Sequence, residues 1–509
     1  MLYKDVSARA GIYWLAVTLA FVPAIVKLLC YPHNIGSDDA YIHLRIASNF
    51  AHGLGWGINP HQPVNLSTSP AFTLIIAAAE RVTPHVVVLT QILSAGAVVA
   101  GLILIFLAAL SETDSVSAAL IAEIAAAFSV NLWRWNGSLM EATFAFAVVA
   151  MTLYLFRRDA SNRPIRVFIA GVVLGVGVLL RPEMGIVVVL ALFVQWMRSV
   201  RSARMRDAAL IILGVAAIVM PWCLFASQHL SSVIPTTFAA KSTAHLRFFN
   251  GIILRQFAES VFESILFPTL LILVLVLAVR RKDLASEKQA DWLAYVIPVG
   301  WVVGLIGFYY LKTPLLQSTG RYVLPLLPCE VMVLALIWNK LENHLTRWQK
   351  RTAVAFIGLH VVFALTLNYK FVMPVLQRFE AEYGATMRAA AGELAKRTEG
   401  SPNRRVLVET DIGVLSCAGN GSFEIYDGGA LATPSLRGLN MRDQIMQTQP
   451  AYVVESLSGT PDGMGSRYSD LLSEVWERRF RQHSVRVGVP YAYTIIYRSK
   501  EPVSVSALR

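Results

Sequence analysis

Between residues 10 and 370 the chain alternates long apolar runs with short polar connectors; beyond 370 the pattern changes. A membrane-crossing helix needs about 20 mostly apolar residues. Eleven runs answer to that, at about 10–32, 85–110, 115–131, 139–157, 165–181, 184–199, 207–227, 264–280, 291–311, 321–339 and 352–370. A shorter apolar piece, 70–82, follows Ser69-Pro70, and the topology of everything after it depends on whether it crosses. Lys and Arg collect in cytoplasmic loops. The basic connectors here hold Arg157, Arg158, Arg163 and Arg166; then Arg198, Arg201, Arg204 and Arg206; then Arg280, Arg281, Lys282 and Lys288; then Lys340, Arg347, Lys350 and Arg351. All four share a side with the N-terminus only if 70–82 does not cross. That segment is therefore predicted to be a juxtamembrane or re-entrant helix on the outer face. Lys4 and Arg9 precede the first run, which has no cleavage site after it and predicts an uncleaved anchor.

The last part of the chain reads differently. Residues 378–397 carry charges at a helical period, and Arg405-Val406-Leu407-Val408-Glu409-Thr410 reads as a buried strand ending at Asp411-Ile412-Gly413. Further strands are predicted at Ser422–Tyr426, Tyr452–Ser456 and Tyr491–Tyr497. The expected architecture is a polytopic α-helical membrane domain over 1–370, with about 11 transmembrane helices plus juxtamembrane helices. A small soluble α/β domain over 371–509 follows on the outer, periplasmic face.

Composition agrees with the pattern. The chain is 55% hydrophobic and only 15% charged, against about 25% charged in soluble domains. Its net charge of +12 matches cytoplasmic loops, and no nucleic-acid recognition motif accompanies it. Cys30, Cys223, Cys329 and Cys417 lack metal-ligand spacing, so neither a disulfide framework nor a zinc site is expected.

With the basic loops inside, the remaining polar residues gather at one face. The segment 33–84 is too long and too particular for a connector, and it begins with Asp38 and Asp39 at the mouth of a span. Carboxylates at a membrane edge are costly and usually functional. They could act as a general base on a hydroxyl or hold a divalent metal. The histidines of this loop show no zinc spacing. Lys241, after Pro235-Thr236-Thr237, and Arg321, opening Arg321-Tyr322, bring cations to the same face. They suit an anionic head group, since Arg grips phosphate bidentately. Glu141 starts a span and could orient a sugar hydroxyl or Arg45. Arg181 and Glu183 could pair to fix a helix hairpin.

The ordered set Asp38-Asp39-Ala40-Tyr41-Ile42, Arg45, Asn49, Gly53-x-Gly55, Asn59-Pro60 and Thr68-Ser69-Pro70 resembles the first outer loop of the GT-C superfamily of membrane glycosyltransferases. The likeness is nearest to bacterial terminal arabinofuranosyltransferases and related polyprenyl-phosphate-dependent enzymes. Met140-Glu141-Ala142-Thr143, Arg181-Pro182-Glu183, Lys241, Arg321-Tyr322 with Pro325, and Asp411-Ile412-Gly413 with Asp427 follow in matching order. The stretch Asn59–Ser67 departs from the family pattern where acceptor contacts are expected.

The resemblance implies an inverting transferase that moves a sugar from a polyprenyl-phosphate donor to a hydroxyl of a glycan or glycoprotein acceptor. It implies Asp38 as catalytic base with Asp39 as alternate. Lys241, Arg321 and Arg45 become donor-phosphate ligands, and Tyr41, His43, Glu141, Thr237 and Tyr322 substrate contacts. The implied sugar is a pentose such as D-arabinofuranose; mannosyl and aminoarabinose transferases are the nearest alternatives, and a lipid-linked glycan flippase the non-enzymatic rival. A monophosphate leaving group needs no obligatory metal. The implied location is a bacterial cytoplasmic membrane, with the site facing the periplasm.

Overall fold

The structure, a computed structural model, describes residues 2–30, 35–158, 163–230, 232–241, 251–278, 292–312, 319–409, 411–458, 464–481 and 491–500. Each of the eleven apolar runs lies on a helix: Leu2–Cys30, Val86–Thr113, Val116–Ala127, Ala142–Leu155, Pro164–Leu180, Gly185–Arg198, Arg204–His229, Gly251–Ala278, Leu293–Lys312, Leu327–Leu341 and Arg347–Leu367. Among the described residues, six helical stretches are long and apolar enough to cross a membrane: Gly11–Leu29, Val86–Thr113, Arg204–His229, Leu293–Lys312, Gly320–Leu341 and the rod Arg347–Thr398. Others are shorter. Pro164–Leu180 has 17 residues, about 25 Å of helix, and ends where Arg181 turns to extended backbone before Pro182. The chain is a multi-pass membrane protein whose helix positions follow the hydropathy pattern. Pro70–Val82 is a 13-residue helix with Pro70 at its first position, too short to span the hydrocarbon core.

No break separates the last apolar run from the helix beyond it. The helix from Arg347 continues to Thr398, over 52 residues, through wider π-type turns at Asn368–Val372 and Phe379–Gly384. Pro374 follows the first of these and cannot donate to the turn before it. The boundary expected near residue 370 thus falls inside this continuous helical rod.

Beyond the rod lies a five-stranded sheet of order β2-β1-β3-β5-β4, with β1 Arg405–Val408, β2 Glu424–Asp427, β3 Tyr452–Ser458, β4 Leu472–Arg481 and β5 Tyr491–Ser499. β1 is parallel to both neighbours, with Val406 opposite Ile425 and Tyr452; β5 is antiparallel to β3 and β4. Val406, Leu407 and Val408 are all fully buried, as befits a central parallel strand covered on both faces. The strand at 472–481 is the one that the hydropathy pattern does not reveal. Glu474, Glu477, Arg478, Arg479 and Arg481 break the apolar alternation there, and charge is tolerated because this strand forms the edge.

One apolar cluster joins the sheet to the 33–84 segment: Met387, Ala390 and Leu394 of the rod, Val406 and Val408 of β1, and Ile42, Ile46, Trp56, Ile58 and Leu66 of that segment. Burying shared apolar surface stabilises the two parts against each other at about 25 cal/mol per Å². The glycine-rich turn lets the loop double back, with Gly53 and Gly55 at φ of +75° and +97°. The Asn49 side-chain amide donates to the carbonyls of Gly57 (2.8 Å) and Ile58 (3.1 Å). Asn59 donates to the Ile425 carbonyl and accepts from the Ile425 amide, each at 2.9 Å. Its side-chain amide thus pairs with the exposed edge of β2 as another strand would.

Candidate active site

The residues singled out around Asp38 lie on the helix Asp38–Ala51, whose first turn holds both aspartates. Carboxylates there meet the positive end of the helix dipole. Residues three, four and seven apart share a helix face, and this helix divides its polar residues accordingly.

Asp38, Tyr41 and Arg45 face the C-terminal part. Asp38 accepts the backbone N–H of Gly413 (2.7 Å) and of Val414 (2.9 Å), and the Tyr383 hydroxyl (3.2 Å). It therefore caps the helix Ile412–Gly419 from outside. Tyr41 donates its hydroxyl to Glu380 at 2.6 Å. Arg45 donates to the Ile58 carbonyl and, at 2.7 Å, to Asn420 at the far end of the capped helix. The two helices run alongside each other so closely that a β-carbon on Gly413 would lie 2.1 Å from the Asp38 carbonyl oxygen. The second π-type turn of the rod brings in Glu380 and Tyr383; such turns concentrate at functional places.

Burial pushes the Asp38 carboxyl up to about 8, and the neighbouring Asp411 carboxylate adds to this; the Val414 and Gly413 amides pull the other way. Burial, and then the charge of Asp39, pushes Asp411 up to about 6. Groups raised in the folded state contribute stability that is complete below the ordinary carboxylate range and lost as pH climbs through 6 and 8. The melting temperature is therefore expected to fall between pH 5 and 8.5, and Asp38→Asn to flatten that fall. Equal slopes in a series of thermal melts would contradict it.

Asp39 and His43 face the membrane helices. Asp39 pairs with Arg321 at 2.8 Å, and its side chain is 42% exposed while that of Arg321 is 8% exposed. Behind Arg321 stands a buried network. Arg321 donates to the Tyr322 hydroxyl at 2.7 Å and lies 4.8 Å from the Tyr322 ring centre. Its Nε lies 3.9 Å from Glu141, which is also 3.4 Å from Arg181. Arg181 pairs with Glu183 at 2.8 Å, so the expected hairpin pair forms, and it also donates to the Arg321 backbone carbonyl at 2.9 Å. Tyr309 closes the network by donating to Glu183. His43 meets Thr73 Oγ1 at 2.9 Å, and burial lowers its pKa, which keeps the ring neutral. Among the described residues, one oxygen of the buried Glu141 carboxylate and the Nε of Arg321 have no hydrogen-bond partner. Buried polar atoms left so are few in native proteins, and each calls for an explanation such as a catalytic role or a bound water or ion.

Of the residues singled out, Asp39, Arg321, Glu141, Tyr322 and His43 come together. Asp38, Tyr41 and Arg45 instead clasp the C-terminal part. Thr237 is buried and donates to the Leu66 carbonyl at 2.9 Å, pinning its segment to the 33–84 segment. Lys241 closes the short helix Thr236–Lys241, and its side chain lies outside the described residues. Tyr383, Glu380 and Asn420 were not anticipated. Nothing in their local sequence marks them, since each acts by reaching a helix more than 300 residues away.

No family model matches the sequence, and no curated protein matches it. The fold is nevertheless shared with solved structures. ArnT from Cupriavidus metallidurans bound to undecaprenyl phosphate superposes with a TM-score of 0.59 at 15% identity, over 96% of this chain and 98% of that one. The archaeal oligosaccharyltransferase AglB from Archaeoglobus fulgidus, in complex with an inhibitory peptide and a dolichol-phosphate, gives 0.54 at 13% identity, over 87% and 69%. The arabinofuranosyltransferase AftD from Mycobacteria gives 0.53 at 16% identity, over 96% of this chain and 40% of that one. Over nearly its whole length, the chain has the GT-C fold of membrane glycosyltransferases.

Proposed function

We propose that this protein is an inverting glycosyltransferase that moves a sugar from a polyprenyl-phosphate donor to an acceptor hydroxyl on a cell-envelope glycan or glycoprotein. The sugar proposed from the sequence motifs is a pentose of the D-arabinofuranose kind. The observation that carries this reading is the pairing of Asp39 with Arg321 at 2.8 Å, half-exposed on the carboxylate side and buried on the guanidinium side. A proton acceptor and a phosphate-binding cation then share one mouth.

In the proposed reaction Asp39 takes the acceptor hydroxyl proton. The acceptor oxygen bonds to the anomeric carbon as the bond from that carbon to the phosphate oxygen breaks. The electron pair leaves with polyprenyl phosphate, whose charge Arg321 stabilises from a preorganised buried position. Lys241 is proposed as the second cation. One displacement inverts the anomeric carbon. The base is here Asp39, in place of the Asp38 implied by the sequence resemblance, because two backbone amides and a tyrosine hydroxyl already occupy the Asp38 carboxyl. A monophosphate held by guanidinium and ammonium groups needs no metal to neutralise it.

The test is incubation of the purified protein in lipid nanodiscs with polyprenyl-phosphoryl pentose, aminopentose and hexose donors and an envelope glycan extract. Release of polyprenyl phosphate that depends on the acceptor supports the reading, and no release from any donor overturns it. The proposed orientation places the site on the periplasmic side of the bacterial cytoplasmic membrane. A cysteine at exposed His52 is then expected to react with an impermeant maleimide added to intact cells, above the wild-type background, and one at exposed Arg201 to stay unlabelled. The reverse pattern would invert the topology.

A further inference from the structure

Resting on the phosphate-donor reading above, we infer that the C-terminal part positions the second donor cation: Asp427 builds a turn that grips Thr236, and through Thr236 it sets where Lys241 stands for the donor phosphate. Asp427 is here a positioning residue and touches no substrate.

Asp427 ends β2 and belongs to the ordered motif set, yet the cluster around Asp39 and Arg321 leaves it without a task. It is 2% exposed. One carboxylate oxygen accepts the Gly429 amide at 2.9 Å, and the other accepts the Leu431 and Ala432 amides at 2.7 and 2.8 Å. Its own amide donates to the Thr433 hydroxyl at 2.9 Å. Ala430, inside this turn, stands at φ +57°, a conformation that a non-glycine residue keeps only where its surroundings impose it. One side chain thus dictates the path of residues 427–433, and with it the direction of the Leu431 carbonyl.

That carbonyl accepts the Thr236 hydroxyl at 2.6 Å. Arg437, just beyond the turn, donates to the Thr236 carbonyl at 3.2 Å. The Thr236 amide donates to the Asn65 carbonyl at 2.8 Å. Each polar group of buried Thr236 is therefore held, the hydroxyl and the carbonyl by the C-terminal part. Thr236 opens the helix Thr236–Lys241, which has six residues. So short a helix is not stable alone, and its contacts decide how it stands. Lys241 closes it, about 7.5 Å further along the axis. A helix anchored at its first residue carries its last residue with it. A cation stabilises a leaving phosphate best when its place is fixed beforehand, and the Asp427 turn supplies that fixing from a domain outside the membrane helices.

The experiment measures undecaprenyl phosphate binding to the full-length protein in detergent by isothermal titration. The single variants are Thr236→Val, Thr236→Ser, Asp427→Asn and Lys241→Gln. Thr236→Val and Asp427→Asn are each also combined with Lys241→Gln, and thermal melts check folding. Lys241→Gln is expected to weaken binding about tenfold, the loss of a charged hydrogen-bond partner. Thr236→Val removes the hydroxyl and keeps the shape. It and Asp427→Asn are expected to weaken binding about five- to tenfold when Lys241 is present and less than about twofold in the Lys241→Gln background, the non-additivity of residues that act as a unit. Thr236→Ser keeps the hydroxyl and is expected to bind as wild type does. If Asp427→Asn does not fold, the Thr236 variants decide. Equal weakening in both backgrounds, no weakening in Thr236→Val, or a Thr236→Ser protein as weak as Thr236→Val overturns the inference and leaves the donor reading standing. Lys241→Gln binding as tightly as wild type overturns it too, by removing the cation. Wild type that binds no undecaprenyl phosphate sinks the donor reading itself, which the first titration tells apart.

Discussion

Asp39→Asn is expected to lower sugar transfer by about 10²–10⁴-fold, the usual contribution of a positioned general base, with the melting curve little changed. The side chain is 42% exposed, so its packing contribution is small. Arg321 keeps its bond to the Tyr322 hydroxyl when the carboxylate is gone. The loss should appear in kcat, with donor KM little changed, the sign of an interaction used only in the transition state. Asp38→Asn makes the contrast. It removes one acceptor from the two amides of the capped helix and should act on stability first, with transfer falling only as far as docking is lost. A fully active Asp39→Asn protein, beside an Asp38→Asn protein that is inactive yet melts normally, would exchange the two roles and refute the assignment.

Gly413→Ala is expected to destabilise the union of the 33–84 segment with the C-terminal part by about 1–3 kcal/mol, the usual cost of overpacking. The new β-carbon would fall 2.1 Å from the Asp38 carbonyl oxygen and 2.8 Å from its carboxylate. Helix backbone lies on both sides of the contact, so neither can yield without breaking the amide bonds to Asp38. Gly392→Ala is the control. It lies in the same part of the chain, its β-carbon would meet nothing within 4 Å, and Ala in a helix interior is favoured over Gly by about 0.5–1 kcal/mol. Limited proteolysis and thermal melts read the difference: earlier release of a C-terminal fragment for Gly413→Ala, equal or later for Gly392→Ala. Matching behaviour of the two variants would mean that the helix contact holds nothing together.

These two expectations bear on neighbouring residues that the sequence alone treats as equivalent. Asp38 and Asp39 differ by one position, hence by about 100° around a helix. That rotation sends one carboxylate to Gly413 and the other to Arg321. A tandem acid is legible as a candidate for chemistry, but which member is placed for it depends on what packs on each side. Arg45 makes the same point. As a cation in the loop it is a reasonable phosphate ligand, yet its partners are the Ile58 carbonyl and Asn420, so it closes the loop onto the C-terminal part. Asn49, Gly53, Gly55 and Asn59 read as an ordered motif without an evident task; their task is to fold the loop back and extend the sheet edge.

Hydropathy along the chain was enough to place the helices, because each apolar run must be long enough to cover itself in lipid, and that requirement is local. It also singled out the 33–84 segment as a candidate, since charge beside a membrane is rarely retained without a use. The strands β1, β2, β3 and β5 were legible from their apolar runs; β4 was not, because charges tolerated at a sheet edge mask the alternation. The unbroken rod from Arg347 to Thr398, the helix-to-helix clasp at Asp38, and the five-residue network of Arg321, Glu141, Arg181, Glu183 and Tyr309 had to come from packing. Their partners are up to several hundred residues apart, and no local periodicity encodes which buried charge will answer which.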